Sequence, residues 1–344
     1  MSSISSTLPV ELWHQILRSV YEVSFFPSSL DSDSDNNILL RDYPWVDTSH
    51  TRECRASASV CHRAVVRSIS QVCRSWKTFA NQLRYQAIEL GLFHFSFPDL
   101  LKEHQLHSSI FHETRRLNVT TTWFNNTRDL SLLVQSMPRL EWLQLDDPLI
   151  EESHLPLLPS ILGPHQSSLL YLDLFPSYCE ETNTNFVDSE CISFISNTAI
   201  RLRRLTCAIK YVDVPASDGG SGGGGGGQMQ MQVRQAAPRF ENLQVLRLYD
   251  IRCDPGYEQV VREWFSRWHL PSLKQFYIPR NWEYCTQLLD RGVGAQIEVL
   301  DASVCKFLFI FDWFAGMNDI IRNHRHTLIY RSNYGLSALA RIQL

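Results

Sequence analysis

Two stretches near the amino terminus place apolar residues at helical intervals. The first, LPVELWHQILRSV (8–20), carries one stripe of five positions: Leu12, Trp13, Ile16, Leu17 and Val20. A stripe of this period predicts an amphipathic helix, and Pro9 suits its first turn because the missing N–H has no helical partner there. The second stripe runs from 65 to 83 through SQVCRSWKTFANQL, with a possible break near Ser70 into two shorter helices.

A polar segment separates the two stripes. Residues 25–62 contain the acidic run DSDSDNN (31–37), which is too polar and too simple to bury a core. We therefore expect a disordered insertion at about 25–62. Without it, residues 1–90 predict a compact helical domain of three helices.

Beyond residue 90 a short apolar pattern recurs, in which leucine is followed by two residues, leucine, one residue and an apolar position. Its copies are LEWLQL (140–145), LLYLDL (169–174), LRRLTC (202–207), LQVLRL (243–248), LKQFYI (273–278) and IEVLDA (297–302), with a fainter TRRLNV (114–119). The last candidate, LIYRSN (328–333), breaks the pattern at Arg331 and Asn333.

The spacing of the copies supports a real repeat. First positions are separated by 26, 29, 33, 41, 30 and 24 residues, and the 41-residue step contains the eleven-residue run SDGGSGGGGGG (217–227). Removing this flexible run from 41 leaves 30, which agrees with the neighbouring steps. Each copy predicts one strand, and apolar stripes in 255–273 and 282–292 predict helices between strands. Residues 91–344 are thus expected to form stacked strand–helix units with a Gly-rich insertion at 217–227.

Side-chain alternation divides each predicted strand into a core side and an opposite, concave side. The pattern leucines take the core side. The concave side would carry residue types enriched in binding hot spots, which predict a target-binding surface. These residues are Trp142, Asp146, Tyr171, Asp173, Phe175, Arg204, Arg247, Tyr249 and Tyr277.

Composition narrows the function classes. The chain has 344 residues, of which 44% are hydrophobic and 20% charged, and its formal net charge of −4 argues against nucleic acid as the main partner. The start lacks a signal peptide, and the apolar run 307–317 is too short to span a bilayer. We expect a cytoplasmic or nuclear protein with no membrane partner.

No pattern predicts catalysis. His50, Cys54, Cys61 and His62 match no standard zinc spacing, and the Gly run lacks the Lys-Ser/Thr ending of a phosphate loop. Cys73 lies on an apolar stripe and is interpreted as a packing residue. The sequence therefore predicts a protein that is not an enzyme and needs no metal or cofactor.

The two amino-terminal stretches resemble a known family. LPVELWHQIL is similar to the Leu-Pro-x-Glu-Leu start of an F-box, and VCRSWKTFA is similar to its Val-Cys-Arg-x-Trp end. The repeats resemble the irregular leucine-rich repeats of F-box proteins, so the expected fold is an α/β solenoid behind a three-helix F-box. The resemblance implies the substrate-recognition subunit of an SCF-type cullin–RING ubiquitin ligase. It also implies contacts with the Skp adaptor, and through it cullin, by Leu8, Pro9, Leu12, Ile16, Val72, Cys73 and Trp76.

Two structural and two functional alternatives remain open from the sequence. The first helices could form a plain bundle that caps the following domain, and the repeat region could be an α/β domain with a parallel sheet. The chain could then be a non-catalytic leucine-rich-repeat scaffold unconnected with ubiquitin, or an enzyme with a dispersed active site. An exposed apolar surface around Leu12 and Trp76 would favour the ligase subunit, whereas burial of both would favour the scaffold.

Overall fold

A parallel sheet follows a short helical unit in this computed structural model. The structure describes residues 9, 11–17, 66–90, 108–119, 127–146, 162–165, 167–175, 187–212, 237–277, 279, 281–285, 288, 297, 299–301 and 329–331. The predicted insertions 25–62 and 217–227 and the predicted contact Leu8 lie outside these residues.

The described residues contain six helices, ten strands and three short 3₁₀ turns. The helices are residues 11–17 (α1), residues 66–70 (α2), Arg74–Gln86 (α3), Thr127–Gln135 (α4), Ser189–Thr198 (α5) and Glu258–Ser266 (α6). The 3₁₀ turns are Ser108–Glu113, Gly163–His165 and Trp282–Tyr284. The strands are Ala87–Leu90 (β1), Arg116–Val119 (β2), Trp142–Asp146 (β3), Tyr171–Phe175 (β4), Val187–Asp188 (β5), Arg204–Tyr211 (β6), Val245–Cys253 (β7), Gln275–Tyr277 (β8), Val299–Asp301 (β9) and Ile329–Arg331 (β10).

The sheet keeps the order of the chain. Its strands lie in the order β1-β2-β3-β4-β6-β7-β8-β9-β10, and β5 pairs with β6 beside this row. The described strand pairings are parallel, so each strand must be reached by a crossover connection. Helices α4, α5 and α6 lie in the connections before β3, β6 and β8. The fold is thus an α/β arrangement with one continuous parallel sheet.

The pattern leucines stack across neighbouring strands. The central apolar residue of each repeat lies in register with that of the next strand, and each is buried: Leu117, Leu143, Leu172, Leu205, Leu246 and Phe276. This alignment confirms that the repeated leucines face the core. At roughly 25 cal/mol per Å² of buried apolar surface, such a row is a major source of stability.

A repeated backbone contact sets this register. The carbonyl oxygen of Arg115, just before β2, accepts hydrogen bonds from the N–H groups of Glu141 and Trp142 at 2.8 and 2.9 Å. Four later carbonyls accept the corresponding pairs of N–H groups at the start of the next strand, and they belong to Glu141, Leu170, Arg203 and Gln244. Because these five steps begin with the same contact, the strands from β2 to β8 in the row start with the same stagger.

Helix α6 confirms the stripe predicted within 255–273. Val260, Val261, Trp264 and Phe265 are buried, and Trp268 follows just beyond the helix with its ring centroid 5.0 Å from that of Phe265. The helix predicted at 282–292 is described only at its start, where Trp282–Tyr284 forms a 3₁₀ turn. Most of its remaining residues lie outside the described ranges.

The amino-terminal helices have a small core of their own. Helix α2 ends at Ser70, and the turn Gln71–Val72 leads into α3, so the predicted break near Ser70 is confirmed. Five residues of α2 and α3 form the core: Val66, Ile69, Phe79, Ala80 and Leu83. Leu17, Trp76 and Ala87 pack against it half-buried.

Two strands differ from the sequence expectation. Strand β1 lies inside the range predicted as helical, directly after α3, and β10 forms although Arg331 breaks the leucine pattern. Both lie at the ends of the row of strands, where the exposed backbone groups of β2 and β9 accept one further strand. Whether these two short segments form strands is therefore decided more by pairing with a neighbouring strand than by the local sequence pattern.

Candidate protein-interaction surfaces

Helix α1 packs against α3 through aromatic contacts. The ring centroids of Trp13 and Trp76 are 5.8 Å apart, and the imidazole of His14 stacks on the ring of Phe79 at 4.6 Å. These contacts turn one side of α1 towards the helical core. Leu12 and Ile16 are four residues apart and therefore share a helix face. The contacts of Trp13 and His14 leave that face uncovered.

Exposed apolar residues lie on α1 and in the turn that leads into α3. The side chains of Leu12, Ile16 and Val72 are 42%, 45% and 59% exposed, and Pro9 and Cys73 are also exposed. We call these five residues the apolar patch. Trp76, also predicted to bind the adaptor, is half-buried and packs against the small core and the ring of Trp13. Exposed large apolar residues are a common feature of surfaces that another protein covers.

The second candidate surface is the side of the sheet opposite the pattern leucines. Two rows of mostly polar and aromatic side chains cross it in register, and we call them the polar face. The first row is Arg116, Trp142, Tyr171, Arg204, Val245 and Gln275, and the second is Asn118, Gln144, Asp173, Thr206, Arg247 and Tyr277. Tyr249 lies two residues after Arg247 on β7, on the same face of the sheet.

Most of the described side chains on the polar face are buried. Six predicted target-binding residues are buried: Trp142, Tyr171, Asp173, Arg247, Tyr249 and Tyr277. Arg204 is half-buried, and the side chains of Asp146 and Phe175 lie outside the described parts. Guanidinium groups on this face lie over the rings of Trp142, Tyr171, Tyr249 and Tyr277. Their role in target binding stays a prediction.

An aromatic ring between two cations forms the centre of the polar face. The guanidinium carbon of Arg116 lies 3.8 Å from the ring centroid of Trp142, and that of Arg204 lies 4.4 Å away. Both distances fall within the range of favourable cation–π contacts. The carboxylate of Asp173 accepts a hydrogen bond from Trp142 Nε1 at 2.7 Å and two from Arg204, at 3.1 Å from Nε and 2.5 Å from a terminal nitrogen.

Two tyrosine rings lie beside a third cation. The guanidinium carbon of Arg247 lies 4.9 Å from the ring centroid of Tyr249 and 5.0 Å from that of Tyr277. Nearer the centre, burial raises the pKa of the Tyr171 hydroxyl, against an opposing effect of Arg204. Tyr171 therefore acts as a neutral aromatic and hydrogen-bonding group.

Sequence reasoning missed part of this surface. Arg116 and Asn118 lie in the faint copy TRRLNV and were not among the predicted binding residues. The signal that could have found them is the alternation itself, since they flank Leu117 as Trp142 and Gln144 flank Leu143.

The remaining candidates for chemistry are cysteine thiols and metal-ligating side chains. Burial raises the pKa of Cys207, and burial together with Asp188 raises that of Cys191 to about 12, so both remain thiols. Across the described parts, no group of three or more His, Cys, Asp or Glu could hold a metal ion. Four residues that match no standard zinc spacing lie outside those parts: His50, Cys54, Cys61 and His62. None of the described helices is long and apolar enough to cross a membrane.

Comparison with known proteins adds no relative: no family model matches the chain, and no curated protein matches it either.

Proposed function

We propose that this chain is the substrate-recognition subunit of an SCF-type cullin–RING ubiquitin ligase. The observation that carries the proposal is the apolar patch. Leu12, Ile16 and Val72 are large apolar residues that the free chain leaves exposed, and they occupy positions that the F-box resemblance assigns to Skp binding. Exposure of such residues is unfavourable in an isolated protein and is offset when a partner covers them.

The proposed architecture is an F-box followed by a leucine-rich-repeat solenoid. Helices α1, α2 and α3 would be the F-box, because they share a small core that is distinct from the core under the sheet. The sequential parallel order of strands and the repeated carbonyl contact support the solenoid. Both features are expected when each repeat packs only on its neighbours.

Such a subunit would perform no covalent chemistry. It would hold a target near the conjugating enzyme bound elsewhere in the complex, and the rate gain would come from a high effective concentration. Skp and, through it, cullin would be its partners, in the cytoplasm or nucleus. No metal or cofactor is part of this proposal.

The target would be recognised by the polar face. Its side chains include Trp, Tyr and Arg, the types enriched in binding hot spots. Because Trp142 and Asp173 are only 2% exposed, a target can reach them only after the face is uncovered. Association that requires such a change is slower than rigid docking.

The same burial favours one competing function. In a leucine-rich-repeat scaffold unconnected with ubiquitin, Trp142, Arg204 and Asp173 would serve internal packing alone. The apolar patch distinguishes the two functions, since the scaffold has no need of an adaptor.

The deciding experiment is binding of the purified full chain to the Skp adaptor, measured by calorimetry. Leu12→Ala should weaken the complex about thirtyfold, because truncating an interfacial anchor typically costs about 2 kcal/mol. Leu132 on α4 is 50% exposed and lies outside the patch, so Leu132→Ala is the matched control and should bind as wild type. Absence of adaptor binding by the wild-type chain would refute the ligase function.

A further inference from the structure

Two cations adjoin the apolar patch on α3. Arg74 follows Cys73 directly, and Lys77 lies one helical turn further along, since its backbone N–H donates to the Cys73 carbonyl at 2.9 Å. Both side chains are exposed, as are Cys73 and Val72 beside them. The patch therefore has positive charge on its α3 side.

This positive charge is local to the helical unit. The described residues of α1, α2 and α3 include one carboxylate, that of Glu11, against four cationic side chains, which are Arg67, Arg74, Lys77 and Arg84. The whole chain, in contrast, has a formal net charge of −4. The described part of the unit thus presents a positive field that the overall composition does not predict.

Neither cation beside the patch is neutralised by a carboxylate. Among the described residues, the side chains of Arg74 and Lys77 form no ion pair and no hydrogen bond. In the sheet, by comparison, Arg115 pairs with Glu141 and Arg139 pairs with Glu113. Water solvates exposed cations, so leaving these two unpaired costs the free chain little. Their charge is therefore free to interact with a partner that covers the patch.

Charge complementarity indicates what covers the patch. A protein that buries Leu12 and Val72 fits best when carboxylates border its apolar contact surface and face the two cations. An anionic membrane fits less well, because lipid-binding basic segments carry clusters of about four to eight Lys or Arg residues. Glu11, exposed directly beside Leu12, would also be repelled by anionic lipid.

We propose that Arg74 and Lys77 form a basic rim of the apolar patch and bind an acidic rim on the protein that covers it. The proposal rests on the proposed function, in which that protein is the Skp adaptor, and adds the charge of its contact surface. Long-range attraction between the two rims guides the partners together, whereas the apolar contacts hold the complex. The basic rim thus governs the association rate, and the patch governs the dissociation rate.

The test measures the association rate of the purified full chain with the purified Skp adaptor by stopped flow at several salt concentrations. Wild type should associate about tenfold faster at about 0.01 M than at about 0.15 M ionic strength, because the screening length shortens from about 30 Å to about 8 Å. The double variant Arg74→Glu with Lys77→Glu should associate roughly tenfold more slowly than wild type at low salt. Its dissociation rate should stay within about twofold of the wild-type rate.

Arg239→Glu is the matched control, because Arg239 is an exposed cation outside the helical unit, and this variant should associate as wild type. Glutamate near the amino terminus of a helix is favourable, so the rim variant should fold, as thermal unfolding can show.

Equal association rates of wild type and the double variant at low salt would overturn this proposal alone, since adaptor binding itself would stand. Absence of adaptor binding by wild type would refute the proposed function and, with it, this inference. Vesicles that contain phosphatidylserine are the second probe. Wild type should not bind them, and binding that the double variant loses would assign the rim to a membrane and overturn the proposal.

Discussion

The indole of Trp142 donates a hydrogen bond from Nε1 to Asp173 Oδ2 at 2.7 Å, across 31 residues of sequence. The two residues meet because Trp142 lies opposite Tyr171 on the next strand, and Asp173 follows Tyr171 on the same face. Asp173 also accepts two bonds from Arg204 on the following strand. One buried carboxylate thus joins three neighbouring strands of the repeat.

Trp142→Phe should destabilise the chain through loss of this bond. Phenylalanine keeps an aromatic ring between Arg116 and Arg204 but has no N–H to donate. A hydrogen bond to a charged group contributes about 1.5–3 kcal/mol. The free energy of unfolding, measured in denaturant, should fall by about that amount beyond the cost of the smaller ring.

Trp264→Phe is the matched control for ring size. Trp264 is also fully buried, but its Nε1 has no hydrogen-bond partner. The same substitution there removes ring volume and no bond. Equal losses of stability in the two variants would show that the Trp142–Asp173 bond contributes nothing.

Asp173→Asn should lower the free energy of unfolding more than the corresponding change, Glu141→Gln, in a half-exposed ion pair. Asp173 is buried, so its loss leaves Arg204 without a charge partner in a poorly solvated place, at a cost of about 3 kcal/mol. Arg115 and Glu141 form a similar two-bond pair, but their side chains are 27% and 30% exposed. Glu141→Gln should therefore cost about 1 kcal/mol or less. A similar fall in unfolding free energy in both variants would contradict this ranking.

Folding stability should decrease as the pH is lowered, because of His165. Its buried ring bonds to the Val134 carbonyl through Nε2 at 2.8 Å, and burial lowers its pKa below 6.5. The unfolded chain therefore takes up a proton near pH 6.5 before the folded chain does. The contribution of His165 is complete above pH 6.5 and is lost as pH falls towards the lowered pKa.

His165→Gln should flatten this part of the stability–pH curve, as measured by denaturant unfolding at several pH values. His112 is solvent-exposed in the folded chain, so His112→Gln serves as the control and should keep the wild-type slope. A wild-type slope in the His165 variant would exclude His165 as its source.

Leu12→Ala and Leu83→Ala should separate surface from core in the helical unit. Leu12 is exposed, so Leu12→Ala should lower folding stability by no more than about 0.5 kcal/mol. Leu83 is fully buried in the small core, so Leu83→Ala should lower it by about 2–5 kcal/mol. Thermal and denaturant unfolding measure both. A large loss in Leu12→Ala would mean that α1 is an internal cap, and the adaptor surface would lose its support.

Adaptor binding should protect Cys73 from alkylation. Cys73 is exposed beside Val72, whereas Cys207 and Cys285 are buried. In the free chain, an alkylating reagent should modify Cys73 well before either of them, as peptide mass spectrometry can show. Addition of the adaptor should slow modification of Cys73 alone. Unchanged labelling of Cys73 in a saturated complex would place the interface elsewhere.

The strand positions and the core could be predicted from the pattern. Leu143, Leu172 and Leu205 recur with the same local spacing, and burial of apolar surface acts on each copy in the same way. Helix α6 could be predicted for the same reason. Strand β1 could not, because AIEL is short and its pairing with β2 depends on a residue range 29 positions away.

The sequence alone determined which side chains alternate: leucines to one side of the sheet, and Trp142, Tyr171 and Arg204 to the other. Tertiary structure alone decided that the second side is buried and that Arg116, Trp142, Arg204 and Asp173 form one cluster. It also decided which apolar residues of α1 stay exposed. The physical reason is that alternation is a local property of the backbone, whereas burial and charge pairing depend on which strands and helices become neighbours.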